Sequence, residues 1–333
     1  MRIAILFNVP RRGTKGEPKD FISEEGILEE VDAVERSLKE LGHSSERLPL
    51  EEDVLDLLTR VQSIRPDLVF NLCESFKGES LPQMNIPALL ELLGIPYTGS
   101  GPLAIGLSQD KALTKGVLSA SKIPVPKYQV IYRPEFEMSK ELPFPLIVKP
   151  LYEDASLGID NNAVADSPEA LKQRVRYVLD RYRQPAIIEE FIEGREINAA
   201  VLGNAPASVL PLSEIDFSRF PPHLRRICSY EAKWIKESFE FQNSVPICPA
   251  RLSEEAEVWI RDMALRAYQA LGCRDYARVD LRLDLANNPY VIEVNTNPDI
   301  SPEAGFARAI LKSGRTYTDF IGELLEFVAA RRR

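Results

Sequence analysis

Residues 276–297 read YARVDLRLDLANNPYVIEVNTN and have the alternating pattern of two β-strands joined by a tight turn. In the first strand, one expected face is apolar and consists of Ala277, Val279, Leu281 and Leu283. The other expected face is polar and consists of Arg278, Asp280, Arg282 and Asp284. The second strand follows turn residues 287–289. One of its expected faces consists of Tyr290, Ile292 and Val294, and the other of Val291, Glu293 and Asn295. The stretch therefore predicts a β-hairpin with one strongly polar face.

The polar face of this hairpin has the composition of a metal and phosphate site. A turn centred on residues 286–287 places Asp280 opposite Glu293 and Arg278 opposite Asn295. Hard oxygen ligands suit Mg²⁺, and an adjacent arginine suits a phosphate. The alternative is the solvated face of an ordinary hairpin. Glu293 and Asn295 argue against it, because they lie in an apolar, β-branched run where uncompensated polar groups are costly.

The composition is that of a soluble globular protein of two or three domains. The chain has 333 residues, of which 44% are hydrophobic and 27% charged. A net charge of −9 argues against nucleic acid as a partner. No apolar run approaches the ~20 residues that span a bilayer, and no signal-peptide pattern is present. We therefore expect a cytoplasmic protein that binds neither nucleic acid nor membrane.

Cysteine and histidine usage excludes two common kinds of site. The four cysteines show no close pairing and no C-x-x-C motif, which favours reduced thiols. With only two histidines, a structural zinc site or a histidine-activated nucleophile is not expected.

The N-terminal third has the order of a parallel α/β sheet. Strands are predicted at residues 2–7 and 67–72, with helices at residues 24–41 and 51–64 between them. Ligands of such sheets bind at the carboxyl ends of the strands. Glu74, just beyond the second strand, is therefore a candidate substrate contact, with a capping or surface role as the alternative.

Two lysines lie where phosphates could bind. Lys111 opens a predicted helix, a position that opposes the helix dipole unless an anion is near. Lys149 ends a predicted strand and leads into a loop containing Ser156 and Gly158, as in loops that present backbone amides to phosphates. Neither the Walker A spacing nor a G-x-G-x-x-G motif is present.

Seven short segments carry a resemblance to a known family. In chain order they are NLCE (71–74), IPYTGS (95–100), DK (110–111), VKP (148–150), EFIEGRE (190–196), EAK (231–233) and NTNP (295–298). Together with the hairpin they resemble the ATP-grasp superfamily, and within it the D-alanine–D-alanine ligase branch. The resemblance implies an α/β fold, α+β in its ATP-binding part. We expect this fold to consist of an N-terminal parallel-sheet domain (residues 1–101), a central ATP-grasp subdomain (102–192) and a C-terminal subdomain with the metal site (193–333).

The resemblance also implies residue roles in binding ATP. Lys111 and Lys149 correspond to lysines that hold the α- and β-phosphates, and Ser156 lies in the phosphate-covering loop. The hinge that meets adenine corresponds to Glu189, Glu190, Phe191 and Ile192, and the ribose acceptor to Glu196.

The remaining implied roles concern the metal and the reaction. Asp280, Glu293 and Asn295 match ligands of two Mg²⁺ ions, with Mn²⁺ as a substitute. Lys233 matches a γ-phosphate contact. Arg278 matches the arginine that stabilises the transferring phosphoryl group and the later oxyanion.

Departures from the family pattern are confined to the amino-acid half of the site. The Gly-rich signature near the amino terminus reads FNVPRRG at residues 7–13. Trp234 replaces a tyrosine, and a serine position reads Ala304. Asp299 adds a negative charge, which favours a cationic or amine-bearing acceptor unless it only caps the next helix. We assign Glu74, Trp234 and Asp299 as candidate substrate contacts.

These patterns predict an ATP-dependent carboxylate–amine ligase that forms an amide through an acyl phosphate. Its expected substrates are a small carboxylate and an amine, amino-acid-like but not two D-alanines, and the resemblance leaves a homodimer open. One alternative is a D-alanine–D-alanine ligase with a divergent pocket. The others are an ATP-dependent phosphotransferase and a nucleotide-binding module without turnover.

Overall fold

A parallel three-stranded sheet forms the N-terminal part of the protein. The computed structural model describes residues 1–10 and 15–331, so residues 11–13 of the altered N-terminal signature lie outside it. Strand order is β2-β1-β3, with both pairings parallel, as predicted. The elements in order are β1 (Arg2–Asn8), α1 (Phe21–Glu25), α2 (Ile27–Glu40), β2 (Ser44–Leu50), α3 (Val54–Ile64), β3 (Leu68–Asn71) and α4 (Asn85–Leu92).

A four-stranded sheet forms the central part. Its order is β4-β7-β5-β6, and every pairing is antiparallel. The elements in order are α5 (Pro102–Gln109), α6 (Lys111–Ala120), β4 (Tyr128–Ile131), β5 (Leu146–Pro150), β6 (Val164–Ala165), α7 (Pro168–Tyr182) and β7 (Ala186–Glu190). The side chain of Asp110 caps α6 by accepting hydrogen bonds from the next free backbone amides, which fixes the start of the helix at Lys111.

A six-stranded antiparallel sheet forms the C-terminal part. Its order is β11-β10-β8-β12-β13, with β9 beside β8. The elements in order are β8 (Arg195–Leu202), β9 (Ser208–Val209), β10 (Ser213–Asp216), α8 (Tyr230–Trp234), α9 (Phe239–Asn243), β11 (Val245–Ile247), α10 (Glu254–Ala270), β12 (Tyr276–Leu283), β13 (Pro289–Asn295), α11 (Gly305–Lys312) and α12 (Tyr317–Arg331). Each sheet is drawn from one of the three predicted segments. The boundaries at residues 101 and 192 remain predictions.

The predicted hairpin is β12–β13, and its register is the expected one at the polar end. Arg278 pairs with Asn295 and Asp280 with Glu293. The prediction that Val291 shares a face with Glu293 is wrong. A β-bulge shifts the register after Asp280, so Leu281 pairs with Val291 and Ile292 is the extra residue. Val291 and Val294 therefore both lie in the apolar core beneath the sheet.

The N- and C-terminal parts share one apolar core, which holds the two sheets in a fixed relation. Phe70 of β3, Val34 of α2 and Tyr276 of β12 belong to the same buried cluster. Phe320 and Leu324 of α12 complete it, and α12 packs against α2. Within the described ranges, no helix is long and apolar enough to cross a membrane.

Candidate active site

A large cavity of about 1150 Å³ lies between the central and C-terminal sheets. We call it the large cavity. It is lined by most of the predicted site residues: Lys111, Lys149, Ser156, Glu189, Glu190, Phe191, Ile192, Glu196, Lys233, Trp234, Arg278, Asp280, Glu293 and Asp299. Asn295 and Glu74 line a smaller cavity of about 110 Å³ beside it, which we call the small cavity. Lys233, Trp234, Arg278 and Asp299 line both.

Asp280 is the centre of a polar network on the hairpin. Arg278 donates two hydrogen bonds to its carboxylate, from Nε to Oδ1 at 2.7 Å and from Nη2 to Oδ2 at 2.8 Å. The amide nitrogens of Asn198 and Asn295 donate to the same carboxylate at 2.7 and 3.0 Å. Burial alone would lower the pKa of Arg278, but the facing Asp280 raises it, so the guanidinium stays charged.

Glu293 meets a lysine on the same polar face. Its Oε1 lies 3.3 Å from Nζ of Lys111, which also donates to the carbonyl oxygen of Glu153 and lies 3.6 Å from Asp154. Burial opposes ionisation of Glu293, but Lys111 holds its pKa below the ordinary range. Burial raises the pKa of Asp154, which is hydrogen bonded to Glu293. The positive charge of Lys111, at the start of α6, is thus balanced by nearby carboxylates.

The oxygen atoms of this face fit a hard divalent cation. Cross-strand pairing brings together Asp280, Glu293 and Asn295, and the nitrogen of Asn295 faces Asp280, which leaves its carbonyl oxygen as a ligand. Oε1 of Glu293 is buried and accepts no hydrogen bond from the described residues. Two carboxylates and an amide oxygen are ligands that Mg²⁺ accepts. Among the described residues, no cluster of three His, Cys, Asp or Glu side chains offers a metal site, so a cation on this face would use the Asn295 oxygen as its third ligand.

Lys149 is held by a buried carboxylate. Glu189 accepts from Nζ of Lys149 at 3.0 Å and lies 3.2 Å from Nζ of Lys115. Glu189 and Lys115 are each 1% exposed at the side chain. Burial opposes ionisation of Glu189, but the two lysines hold its pKa below 4.5. Glu189 therefore orients the lysine that points into the large cavity.

The predicted hinge is fixed by Arg282. This side chain donates to the carbonyl oxygen of Ile192 at 2.6 Å and to Glu196 at 3.0 Å. Its guanidinium also lies 5.1 Å from the centre of the Phe191 ring. Gly194 has a φ of +148°, and a Cβ there would lie 2.0 Å from the carbonyl oxygen of Leu283. Glycine is thus required where the hinge crosses β12.

The loop at residues 153–158 is fastened over the large cavity. Nε1 of Trp234 donates to the carbonyl oxygen of Ala155 at 2.9 Å, and Oγ of Ser156 donates to that of Cys228 at 2.8 Å. At the start of the loop, Glu153 accepts from Ser80 and Gln184. Lys233 lies above Trp234, with Nζ 4.9 Å from the ring centre.

The small cavity collects the predicted substrate contacts from separate segments. Glu74 follows β3, and Asp299 follows β13 and accepts from the backbone amide of Ser301 at 2.8 Å. This contact closes a local turn and caps no helix, because α11 begins only at Gly305 with Ala304 as its N-cap. The alternative that Asp299 caps a helix beginning near Ser301 is therefore wrong. Glu30 of α2, buried beside them, was not predicted from the sequence.

Sequence reasoning missed three further residues: Lys115, Arg282 and Asn198. Lys115 lies four residues after Lys111, a spacing that places both on one helix face. The alternating pattern places Arg282 on the polar face of β12 but indicates no role for it. Asn198 pairs with Asp280 across β8 and β12, and such a long-range pairing leaves no mark in the local sequence.

Comparisons with known proteins place this chain in a family and match its fold. The sequence profile described as "D-ala D-ala ligase C-terminus" matches residues 117–326. A protein of Sinorhizobium fredii, named only as uncharacterized protein y4sG, is 36% identical over 309 residues, 91% of this chain and 88% of that protein. A D-alanine–D-alanine ligase of Carboxydothermus hydrogenoformans is 34% identical over 88% of this chain and 90% of its own length. The crystal structure of a D-alanine–D-alanine ligase of Bacillus anthracis complexed with ATP has a TM-score of 0.78 at 22% identity. It covers 100% of this chain, and 98% of that chain is matched.

Proposed function

The chain belongs to the D-alanine–D-alanine ligase family of ATP-dependent ligases, and from this premise we propose that it binds Mg-ATP and joins a carboxylate to an amine through an acyl phosphate. The observation that carries the proposal is the convergence of Lys111, Lys149, Lys233 and Arg278 on the large cavity. These cations come from four separate elements, and one of them, β12, belongs to the hairpin that carries the proposed oxygen ligands. A triphosphate is the ligand whose charge they suit.

The proposed reaction has two steps, for which the side chains supply charge and position. An oxygen of the substrate carboxylate forms a bond to the γ-phosphorus while the bond to the β–γ bridging oxygen breaks and ADP leaves. The amine nitrogen then bonds to the acyl carbon, phosphate leaves, and the nitrogen loses a proton to solvent. Lys111, Lys149 and Lys233 neutralise the phosphates, and Arg278, fixed by Asp280, faces the transferring group.

Mg²⁺ held by Asp280, Glu293 and Asn295 would add positive charge beside the phosphates. The loop at residues 153–158 would exclude water, because its contacts with Trp234 and Cys228 close it over the cavity. An acyl phosphate hydrolyses in water, so this cover protects the intermediate. We further propose that Phe191 and Ile192 meet the adenine, with Ile147 and Ile227 completing an apolar wall. The ribose would be met by Glu196.

We also propose that the two substrates are not both D-alanine. Asp299 and Glu74 place carboxylates in the small cavity, and Trp234 forms part of its wall. D-alanine–D-alanine ligation is the second candidate, because the named relatives carry that activity in their names.

The test is ATP-dependent release of phosphate and ADP with single amino acids and with pairs, in both stereochemical forms. We expect turnover with at least one pair and none with D-alanine alone. Turnover with D-alanine alone would establish the second candidate. ATP consumption without free phosphate would contradict ligation and indicate a phosphotransferase.

A further inference from the structure

The β-bulge of the hairpin decides which way the proposed metal ligand Glu293 points. Val291 lies in the apolar core beneath the sheet, and a regular strand would carry the residue two positions later to the same side. The extra residue Ile292 breaks this alternation, so Glu293 pairs with Asp280 on the polar face. Ile292 and Glu293 are consecutive, yet both line the large cavity. The position of Glu293 thus depends on the shape of the bulge.

The outer edge of the bulge is held by α6 and the loop that follows it. β13 is the last strand of its sheet, so backbone groups on its outer side need partners from outside the sheet. The amide of Val291 donates to the carbonyl oxygen of Pro124 at 2.9 Å. The carbonyl oxygen of Ile292 accepts from Nζ of Lys115 at 3.2 Å. Two consecutive backbone groups of the bulge are thus tied to one neighbouring segment.

Lys115 is buried, and its two polar contacts differ in kind. Its side chain is 1% exposed, and an ammonium group taken out of water needs a counter-charge and a hydrogen-bond acceptor. Glu189 supplies the counter-charge, with Nζ and Oε1 3.2 Å apart at angles that do not fit a hydrogen bond. The acceptor is the carbonyl oxygen of Ile292. The directional contact of this lysine is therefore the one with the bulge.

We propose that Lys115 is a positioning residue that holds the bulge at Ile292 and thereby sets the place of Glu293 in the proposed metal site. This inference rests on the proposed ligase function and adds a residue that acts through Glu293. Lys111 lies one turn earlier on α6 and reaches the carboxylate of Glu293 at 3.3 Å. One face of α6 thus fixes both the backbone before Glu293 and its side chain. Loss of a group that orients a metal ligand commonly weakens metal binding about 10- to 100-fold.

The alternative is that Lys115 serves only its ion pair with Glu189. Glu189 also accepts a hydrogen bond from Lys149, so an effect through that pair would reach the nucleotide phosphates. An effect through the bulge would instead reach the metal. The two roles are therefore distinguished by measuring metal and nucleotide binding separately.

The first test makes these two measurements on Lys115→Met. The change keeps the length of the side chain but removes its charge and its donors, and Glu189 keeps Lys149 as a counter-charge at 3.0 Å. We expect the dissociation constant of Mn²⁺, followed by electron paramagnetic resonance at saturating ADP, to rise about tenfold or more. The dissociation constant of ADP in EDTA should change much less. Lys172→Met, an exposed change on α7 with the same loss of charge, should alter neither value.

Each other outcome of this test has a distinct meaning. An unchanged Mn²⁺ dissociation constant in Lys115→Met overturns the inference and leaves the ligase proposal standing. A rise for ADP in EDTA as large as that for Mn²⁺ also overturns it, because that result indicates an effect through Glu189 and Lys149. Absence of Mn²⁺ binding to the unchanged protein with ADP contradicts the proposed metal site, and this inference with it.

The second test separates positioning from a loss of folded protein. In Lys115→Met, the Mg²⁺ concentration for half-maximal phosphate release should rise about tenfold, and kcat should recover at saturating Mg²⁺. A lower kcat at every Mg²⁺ concentration, with the half-maximal concentration unchanged, overturns the inference. Lys115→Gln keeps a neutral donor on a side chain one atom shorter, and its Mn²⁺ dissociation constant should lie between those of Lys115→Met and the unchanged protein. If Lys115→Met fails to fold, Lys115→Gln decides, and unchanged Mn²⁺ binding in that variant overturns the inference.

Discussion

The large and small cavities differ in how their charges are balanced. In the large cavity, Asp280 accepts from Arg278, Asn198 and Asn295, and Glu189 lies between two lysines. In the small cavity, Glu30 and Asp299 accept only backbone amides in the described part of the chain, and no lysine or arginine pairs with them. The carboxylates of the large cavity are thus oriented by ion pairs, whereas Glu30 and Asp299 of the small one are oriented by backbone amides. We therefore expect nucleotide chemistry and substrate choice to be separable by mutation.

Glu293→Gln should produce the largest effect, because it removes a proposed metal ligand and the partner of Lys111. We expect kcat/KM for Mg-ATP to fall about 10³-fold or more, with a cooperative thermal transition retained. Mn²⁺ binding measured by electron paramagnetic resonance should weaken in parallel. Glu255→Gln, an exposed change on α10, is the charge-matched control. Full activity in Glu293→Gln would contradict the metal assignment and much of the contrast between the two cavities.

Glu189→Gln tests whether the large cavity is held by its internal ion pairs. It leaves Lys115 buried without a counter-charge, and we expect a loss of about 3–5 kcal/mol in the free energy of unfolding. The pKa of Glu189 is lowered in the fold. Its contribution is therefore complete above its unfolded value of 4.5 and is lost only as the pH falls through the lower folded pKa. Denaturant unfolding at pH 7 thus records the full effect.

Two companion variants make the stability measurement specific. Glu35→Gln breaks the exposed pair with Arg47, where we expect a change within about 1 kcal/mol. Glu189→Gln combined with Lys115→Met should recover part of the loss, because the second change removes the unpaired charge. A Glu189→Gln effect no larger than that of Glu35→Gln would show that the buried pair is not a structural element.

The two cavities also differ in how far the sequence predicts them. Half of the predicted residues of the large cavity lie on strands, where the period of two is enough to assign Arg278 and Asp280 to one face. The bulge at Ile292 escaped prediction because an extra residue leaves no signature in an alternating run. Glu30 escaped because its meeting with Asp299 depends on how α2 packs against the loop after β13. Local periodicity holds no information on such long-range packing.

Trp234→Phe should have the smallest effect, because it touches the cover that the two cavities share. It removes one hydrogen bond of 2.9 Å to Ala155 while keeping an aromatic ring beside Lys233. A net loss of about 1 kcal/mol corresponds to a roughly fivefold rise in KM for ATP, with faster proteolytic cleavage within residues 153–158.

The chain has two tryptophans, and Trp259 on α10 is 42% exposed. Trp259→Phe is therefore both the matched control and a single-tryptophan reporter of the loop. The fluorescence of the Trp259→Phe variant should change when Mg-ATP binds. Its KM for ATP should equal that of the unchanged protein. If Trp234→Phe alters the preference among amino acids more than KM for ATP, the cover belongs to the small cavity, and the separation of nucleotide chemistry from substrate choice fails at this residue.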